Sequence, residues 1–336
     1  MLILGIETSC DETSAAIVKD GEKILSNVVS SQVEIHKKFG GIVPEIASRK
    51  HIEMIIPVIK ESLKKANIGL QDIDAIAATF GPGLLGSLLV GLNVAKGISY
   101  ARGLPFIGIN HLEAHLYANF LCYPSLSPPL IGLVISGGHT ELVYLSKKRK
   151  YETLGTTRDD AIGEAFDKVA KILELGYPGG PIIEKAAKKG DPEAINLPSV
   201  HFKSNTLDFS FSGIKTAILY YVKEIKKRGG LVPKEDIAAS FQMKAAQILT
   251  ERVLKAISLK GTKKVILGGG VSSNLFLRSF LRNKIPSDVE IFFPSLELCT
   301  DNAAMVAACA WQKIKEGKFS SLFLNAQPNL KLVVEE

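Results

Sequence analysis

A chain of 336 residues, 46% hydrophobic and 22% charged, is long enough for two domains that each bury a core of their own. Its 41 lysines and arginines against 34 acids give a formal charge of +7, which favours an anionic partner weakly and also serves solubility alone. Cys10, Cys122, Cys299 and Cys309 lie too far apart for a zinc ribbon or a C-x-x-C pair, no basic leader opens the chain, and no run reaches the ~18 apolar residues of a membrane span, so the expectation is a cytoplasmic protein with no membrane segment.

The start reads as strand, polar turn, strand: Leu2 to Ile6, Glu7 to Ser14, then Ala15 to Val18, with Asp20-Gly21 turning into a third strand over Ile24 to Ser30. Pro44 to Ala66 carries apolar residues at helical spacing, with a break or kink expected at Pro57. Ile73 to Thr79 is a buried-type strand that ends at Phe80-Gly81-Pro82-Gly83 and turns into a helix over Leu84 to Ala101. Gly86, Gly91 and Gly97 inside that helix each cost about 1 kcal/mol relative to alanine, and close approach of another backbone is the expected compensation. Phe106 to Ile109 is a short strand, a helix through Asn110 to Phe120 follows at once, and Pro124 to Pro129 reads as a linker.

In that helix His111 and His115 stand four apart, so both imidazoles leave one face and can meet one ion. The pair is half of a metal site, or two histidines at a helix surface or boundary. A metalloprotease loses its base: in H-E-x-x-H the glutamate follows the first histidine directly, whereas Leu112 stands there and Glu113, two residues on, is rotated by roughly 200° round the helix.

After the linker the chain begins again. Leu130 to Ile135, the small turn Ser136 to Thr140 and the returning strand Glu141 to Leu145 repeat the plan of residues 2–18, which suggests a duplicated α/β domain with a ligand between the halves. A helix over Asp160 to Leu175, a Tyr177 to Pro181 turn and a helix starting at Pro181 follow. Leu207 to Gly213 alternates apolar and polar as a strand would; helices then run over Ile214 to Lys227 and Lys234 to Ser258. Lys264 to Leu267 is a strand entering Gly268 to Asn274, a helix opens near Asn274, Glu290 to Phe293 is a last strand, and Asp301 to Lys315 is a last helix able to pack back on the first half.

Three polar turns, over residues 7–14, 136–140 and 268–274, follow buried-type strands and present backbone amides that small residues leave open to phosphate oxygens. There is no G-x-x-x-x-G-K-[ST] and no G-x-G-x-x-G opening a βαβ unit, which argues against the P-loop and dinucleotide-binding classes. Asp11 and Glu12 are either surface acids in a turn or carboxylates that hold a metal or orient a proton. Asp167, one turn from Glu164 and Lys171, reads as a solvated helix face. Asp301 is a favourable acid at a helix start or a third ligand beside His111 and His115; two histidines and one carboxylate leave coordination positions open and suit Fe(II) or Zn(II).

Taken together, the segments Gly5 to Thr13, Gly81 to Leu84, Asn110 to His115, Ser136 to Thr140, Tyr177 to Pro181, Phe209 to Gly213, Gly268 to Asn274 and Thr300 to Ala303 resemble, in order and over nearly the whole chain, the TsaD/OSGEP family. These are tRNA threonylcarbamoyladenosine transferases of the actin, Hsp70 and sugar-kinase superfamily (ASKHA), and the match leans to the bacterial members. The resemblance implies two RNase H-like α/β domains with a nucleotide and metal cleft between them: residues 1–125, completed by a C-terminal helix at about 301–325, and residues 126–300. It implies one Fe(2+), or Zn(2+), on His111, His115 and Asp301; substrate contacts from Ile135, Ser136, Gly137, Gly138 and His139; and Asp167, Gly180, Glu184 and Asn274 around ribose and adenine. Many members carry aspartate where this chain has Glu184. Asp11 and Glu12 match acids tied to activity.

The implied reaction moves threonylcarbamoyl from threonylcarbamoyl-AMP to N6 of adenosine 37 in tRNAs reading ANN codons, with TsaB-like and TsaE-like proteins as partners. For tRNA, Lys147 to Lys150 and Lys223 to Arg228 are candidate phosphate contacts or plain solvated faces. A kinase or ATPase of the same superfamily is the alternative; it would share the glycine turns and have no need of the histidine pair. An Hsp70-type binding protein would want a further peptide-binding domain.

Overall fold

Alternation over residues 2–31 produces three antiparallel strands, β1 (Leu2–Glu7), β2 (Glu12–Lys19) and β3 (Lys23–Ser31). The structure is a computed structural model describing residues 1–199 and 206–332, and it divides into one unit of Met1–Leu126 with the segment from Pro294 onward and another of Ser127–Phe293.

In the first unit a short helix α1 (Val33–His36) leads to α2 (Pro44–Ala66), β4 (Ala75–Gly81), α3 (Leu85–Arg102), β5 (Phe106–Asn110) and α4 (His111–Cys122). The sheet order is β3-β2-β1-β4-β5, with β1, β4 and β5 parallel. Both faces are apolar, as a sheet covered on two sides requires. Leu4, Ile6, Ile17 and Ile76 pack with Ile55, Ile59 and Leu92 of α2 and α3, while Ile3, Val18 and Ile109 pack with Ala114 and Ala118 of α4 on the opposite face.

A break or kink is the expectation at Pro57, and of the two the break does not occur, since α2 runs through it. Residue 57 lies on the solvent side, where water can take the hydrogen bond that proline cannot make. The glycines of α3 also differ from expectation. Gly91 faces side chains, not backbone: the Thr8 hydroxyl donates to Ser87 O at 2.8 Å and accepts from Gly91 N at 3.1 Å, entering the helix ladder itself. Gly86 meets the Ser48 side chain, and nothing approaches Gly97.

The second unit repeats the topology. β6 (Leu130–Ile135), β7 (Thr140–Leu145) and β8 (Tyr151–Thr156) form an antiparallel meander, followed by α5 (Ile162–Ile172), α6 (Gly179–Ala187), α7 (Ser212–Lys227), α8 (Lys234–Lys260), β9 (Lys264–Gly268), α9 (Leu275–Lys284) and β10 (Glu290–Phe292). The order β10-β9-β6-β7-β8 is the first sheet's order read from its other edge. The sequence reading missed β8, which is an edge strand with half of its residues exposed and no apolar alternation.

Residues 207–213 are not a strand. Phe209 makes one bridge to Thr157, Phe209 and Phe211 are both fully buried, and Asp159 takes the polar groups between them. Its carboxylate accepts from the Ser210 and Ser212 hydroxyls and from the Phe211 and Ser212 amides, so the period-two pattern is real but its backbone bonds to a side chain.

Asp160 ties α5 to α7, with Lys168 Nζ at 2.6 Å and Lys215 Nζ at 2.7 Å. Burial alone would raise its pKa, but the two lysines hold it below the ordinary aspartate range. A depressed carboxyl contributes stability that is present above its unfolded-state pKa and lost as pH falls through the folded-state value. Asp160→Asn is therefore expected to cost about 1 kcal/mol at pH 7, because both lysines keep solvent access. The gap in thermal midpoint from the unaltered protein should close between about pH 4 and pH 2; a gap that persists at acid pH would assign the loss to packing.

The last helix, α10 (Ala303–Lys315), returns to the first unit. Its run Ala303-Ala304-Met305-Val306-Ala307-Ala308-Cys309-Ala310 is almost wholly buried against α4 and the sheet. The approach is close enough that a Cβ on Gly5 would stand 2.4 Å from the Ala303 carbonyl oxygen. Among the described residues, no helix is long and apolar enough to cross a membrane.

Candidate functional site

The junction of β5 and α4 builds the centre of the first unit. Asn110 caps the helix, its Oδ1 accepting from Leu112 N at 2.9 Å and Glu113 N at 3.3 Å, so His111 is the first helical residue and His115 lies one turn on. Asp301 arrives from the start of α10, but Asn302 is the cap there, its Oδ1 accepting from Met305 N. The Asp301 carboxylate instead lies 3.1 Å from His115 Nε2 and 3.5 Å from His111 Nε2. The two imidazoles are edge-on, with centroids 4.6 Å apart.

One ligand atom from each of these three residues falls within 4.8 Å of the other two, the sole such grouping of histidine, cysteine and acid among the described residues. Two donors bound at about 2.1 Å to one ion stand roughly 3.0–3.5 Å apart for angles of 90–110°. The two separations at Asp301 match that span and the third is at most 4.8 Å, so the donor set of two nitrogens and one oxygen suits a divalent ion.

Glu7 is the residue the sequence reading did not single out. It ends β1 with a fully buried carboxylate that takes Ser9 N at 2.6 Å, Thr79 Oγ1 at 2.6 Å and His111 Nδ1 at 3.0 Å. An ionised carboxylate only accepts, so Nδ1 carries the hydrogen and Nε2 is left facing Asp301. The available signal was an acid closing an otherwise apolar strand, since a buried charge needs a partner. Burial works against the charge on both groups. For Glu7, the His111 charge and hydrogen bond win and lower the pKa; for His111, the Glu7 and Asp301 charges win and raise it to about 9. His115 moves the other way, lowered by burial and by the charge on His111, and its buried Nδ1 has no hydrogen-bond partner.

Asp11, in the turn between β1 and β2, is buried, and Glu12, the first residue of β2, is partly so. His51, fully buried on α2, fastens this turn through Thr13 Oγ1 at 2.8 Å and Cys10 O at 3.0 Å. Glu12 accepts from Ser31 Oγ, and burial, then the charges of Asp11 and Asp301, push its pKa well above the ordinary range. It is a carboxyl suited to holding a proton.

The second unit carries the other sequence-singled residues along one path. Ile135 ends β6, fully buried; Ser136 and His139 close the turn on each other, with Ser136 N to His139 O at 2.9 Å and His139 N to Ser136 Oγ at 3.1 Å. Gly137 and Gly138 are exposed and nothing would meet a side chain on either. Gly163 of α5 presses on this turn, since its Cβ would lie 2.5 Å from Ser136 O.

Asp167, one turn further, is not the solvated acid expected: its Oδ1 accepts from Gly179 N at 2.6 Å, and Glu164 pairs with Lys168. Gly180 is next on α6 and open. Glu184 accepts from Leu275 N at 3.0 Å, beside Asn274, which caps α9 through Leu277 N and donates to Gln242 at 2.9 Å. Glu184, Lys188, Gln242, Leu275 and Phe276 line a cavity of about 370 Å³.

A family model described as TsaD: tRNA N6-adenosine threonylcarbamoyltransferase matches residues 23–308. The tRNA N6-adenosine threonylcarbamoyltransferase of Clostridium botulinum (strain Kyoto / Type A2) is 52% identical over 331 residues, covering 98% of this chain and 97% of its own. Among solved structures, (R)-2-hydroxyglutaryl-CoA dehydratase component A of Acidaminococcus fermentans superposes with a TM-score of 0.55 at 19% identity, covering 94% of this chain and 99% of its own. The ROK hexokinase of Thermus thermophilus does so at 0.50 and 16%, covering 94% and 100%. These two likenesses are of fold alone.

Proposed function

The chain belongs to the TsaD family of tRNA N6-adenosine threonylcarbamoyltransferases, and from that premise we propose that His111, His115 and Asp301 hold a divalent iron or zinc ion serving transfer of threonylcarbamoyl from threonylcarbamoyl-AMP to adenosine 37 of tRNA. The enzyme is a transferase that modifies N6 of adenosine in tRNA. The observation that carries the metal reading is the convergence of two imidazoles and one carboxylate, with buried Glu7 behind the first imidazole. An ion held there supplies Lewis-acid charge for the threonylcarbamoyl carbonyl, or a fixed point for the donor's carboxylate or phosphate.

The chain's own groups do the rest. The N6 lone pair forms the new bond to the carbamoyl carbon, the bond from that carbon to the AMP phosphate oxygen breaks, and one N6 proton must leave. Asp11 and Glu12 are the groups we assign to that proton, with the raised pKa of Glu12 supporting the role. The exposed Gly137-Gly138 turn suits the departing phosphate. Asp167, Gly180, Glu184 and Asn274 suit the ribose and adenine, with the cavity beside Glu184 in support.

The decisive assay combines the purified protein, TsaB-like and TsaE-like partners, threonylcarbamoyl-AMP and unmodified tRNA, read by nucleoside mass analysis. The expected product is threonylcarbamoyl-adenosine at position 37. Unchanged adenosine in the complete mixture overturns the assignment.

A further inference from the structure

From Lys318 to Lys331 the chain has no regular secondary structure, yet it is bonded along its length to the ends of β4 and β5. Ser320 donates its amide to Phe106 O at 2.8 Å and its hydroxyl accepts from Gly108 N at 2.9 Å. Gln327 N donates to Phe80 O at 2.7 Å, and Pro328 O accepts from Gly83 N at 3.0 Å. Two strand glycines make room for it. A Cβ on Gly108 would stand 2.2 Å from Leu324 Cδ2, and one on Gly81 would stand 2.1 Å from Gln327 O. Leu324 and Ala326 pack into the core beside α2 and α3.

The segment ends at the cap of the histidine helix. Asn110, 8% exposed, donates Nδ2 to Lys331 O at 3.0 Å while its Oδ1 holds the first amides of α4. Its planar amide is fixed at both ends, because turning it would set its NH2 against the helix amides and its oxygen against a carbonyl. A second thread runs through the 81–84 loop. Gly83 is held by Pro328, Leu84 N donates to Ser9 O at 2.8 Å, and Ser9 Oγ lies 3.1 Å from His111 Nδ1.

We propose that this C-terminal strap is a positioning element of the metal centre: it sets the first turn of α4, and so the aim of His111, through the Asn110 amide and the Gly83–Ser9 contact. Its consequence for metal affinity rests on the reading of His111, His115 and Asp301 given above; the coupling of strap to helix does not. A chain ending at Pro328 removes the Lys331 acceptor. Asn110→Asp keeps the capping oxygen and replaces the donor with an acceptor. Lys331→Ala keeps the carbonyl and serves as control.

In metal-free protein, hydrogen–deuterium exchange over residues 110–120 is expected to rise in the truncated chain and in Asn110→Asp, and to stay unchanged in Lys331→Ala. Co(2+) titration should show about tenfold weaker binding and shifted visible bands in the first two. Unaltered exchange in α4 of both variants overturns the proposal, as does a Lys331→Ala effect as large as truncation. Should the truncated chain not fold, Asn110→Asp alone decides. If the unaltered protein binds no Co(2+), the metal reading fails while exchange still decides the strap.

Discussion

Replacing His111 and His115 together by alanine is expected to yield a protein that retains no stoichiometric Fe(2+) or Zn(2+) and forms no threonylcarbamoyl-adenosine. One carboxylate, Asp301, would remain of the three donors that converge within 4.8 Å. The single variants separate metal loss from folding. His111→Ala strips the countercharge from Glu7, which is wholly buried, and breaking such a pair costs about 3–5 kcal/mol. His115 faces the partly exposed Asp301 on one nitrogen, and its other nitrogen, though buried, has no hydrogen-bond partner, so His115→Ala should cost less stability in metal-free protein. Adding Glu7→Gln to His111→Ala should return part of the thermal midpoint without restoring metal. Metal content by elemental analysis, thermal midpoint and nucleoside mass give three independent readings. Full modification activity in the metal-free double variant would sink the metal requirement while leaving the transferase assignment in place.

Glu7→Gln alone should weaken metal binding by about 10- to 100-fold, the usual cost of losing the acid that orients a metal-binding histidine. It also carries a pH signature. The metal must displace a proton from His111, whose pKa Glu7 and Asp301 raise to about 9 against the opposing effect of burial. Apparent affinity of the unaltered protein should thus improve about tenfold per pH unit from 7 towards 9 and then level. In Glu7→Gln the rise should end at lower pH. Stability runs in the opposite sense: because the folded-state pKa of His111 is raised, the pair's contribution to metal-free protein is full below the unfolded histidine value and is lost as pH rises through about 9. Thermal midpoints from pH 6 to pH 10, with and without the substitution, test this. Parallel curves would show that Glu7 does not govern the His111 proton.

Much of this was legible because it is local. Proline at position 44 and Asn67 in the left-handed region fix both ends of α2, and an apolar run bounded by Pro129 and Ser136 gives β6 to the residue. The histidine pair is legible for the same reason, since one turn of helix sets its spacing. Features that depend on a partner far along the chain were not. Glu7 is an acid in a polar turn until His111, 104 residues later, is placed beside it. Asp167 looked solvated because its real partner is an amide on the next helix. Phe209 and Phe211 alternate as strand residues do, but Asp159, 52 residues before Phe211, satisfies the intervening backbone. β8 gave no signal because an edge strand owes its existence to its neighbour β7.

The return of α10 to the first unit has a consequence for how the protein is made. Asp301 lies 186 residues beyond His115, and all of the second unit is translated between them. At about 5–20 residues per second that interval is roughly 10–40 s. During it the residues of β1, β4 and β5 have been translated, while the alanine-rich helix that covers one face of their sheet, and the third donor at its head, have not. The second unit, being one continuous stretch, can complete its core first even though it starts later. Ion capture by all three donors is therefore an event of a nearly finished chain, and a nascent fragment ending before residue 301 should carry the histidine pair without holding the ion that gives it a purpose.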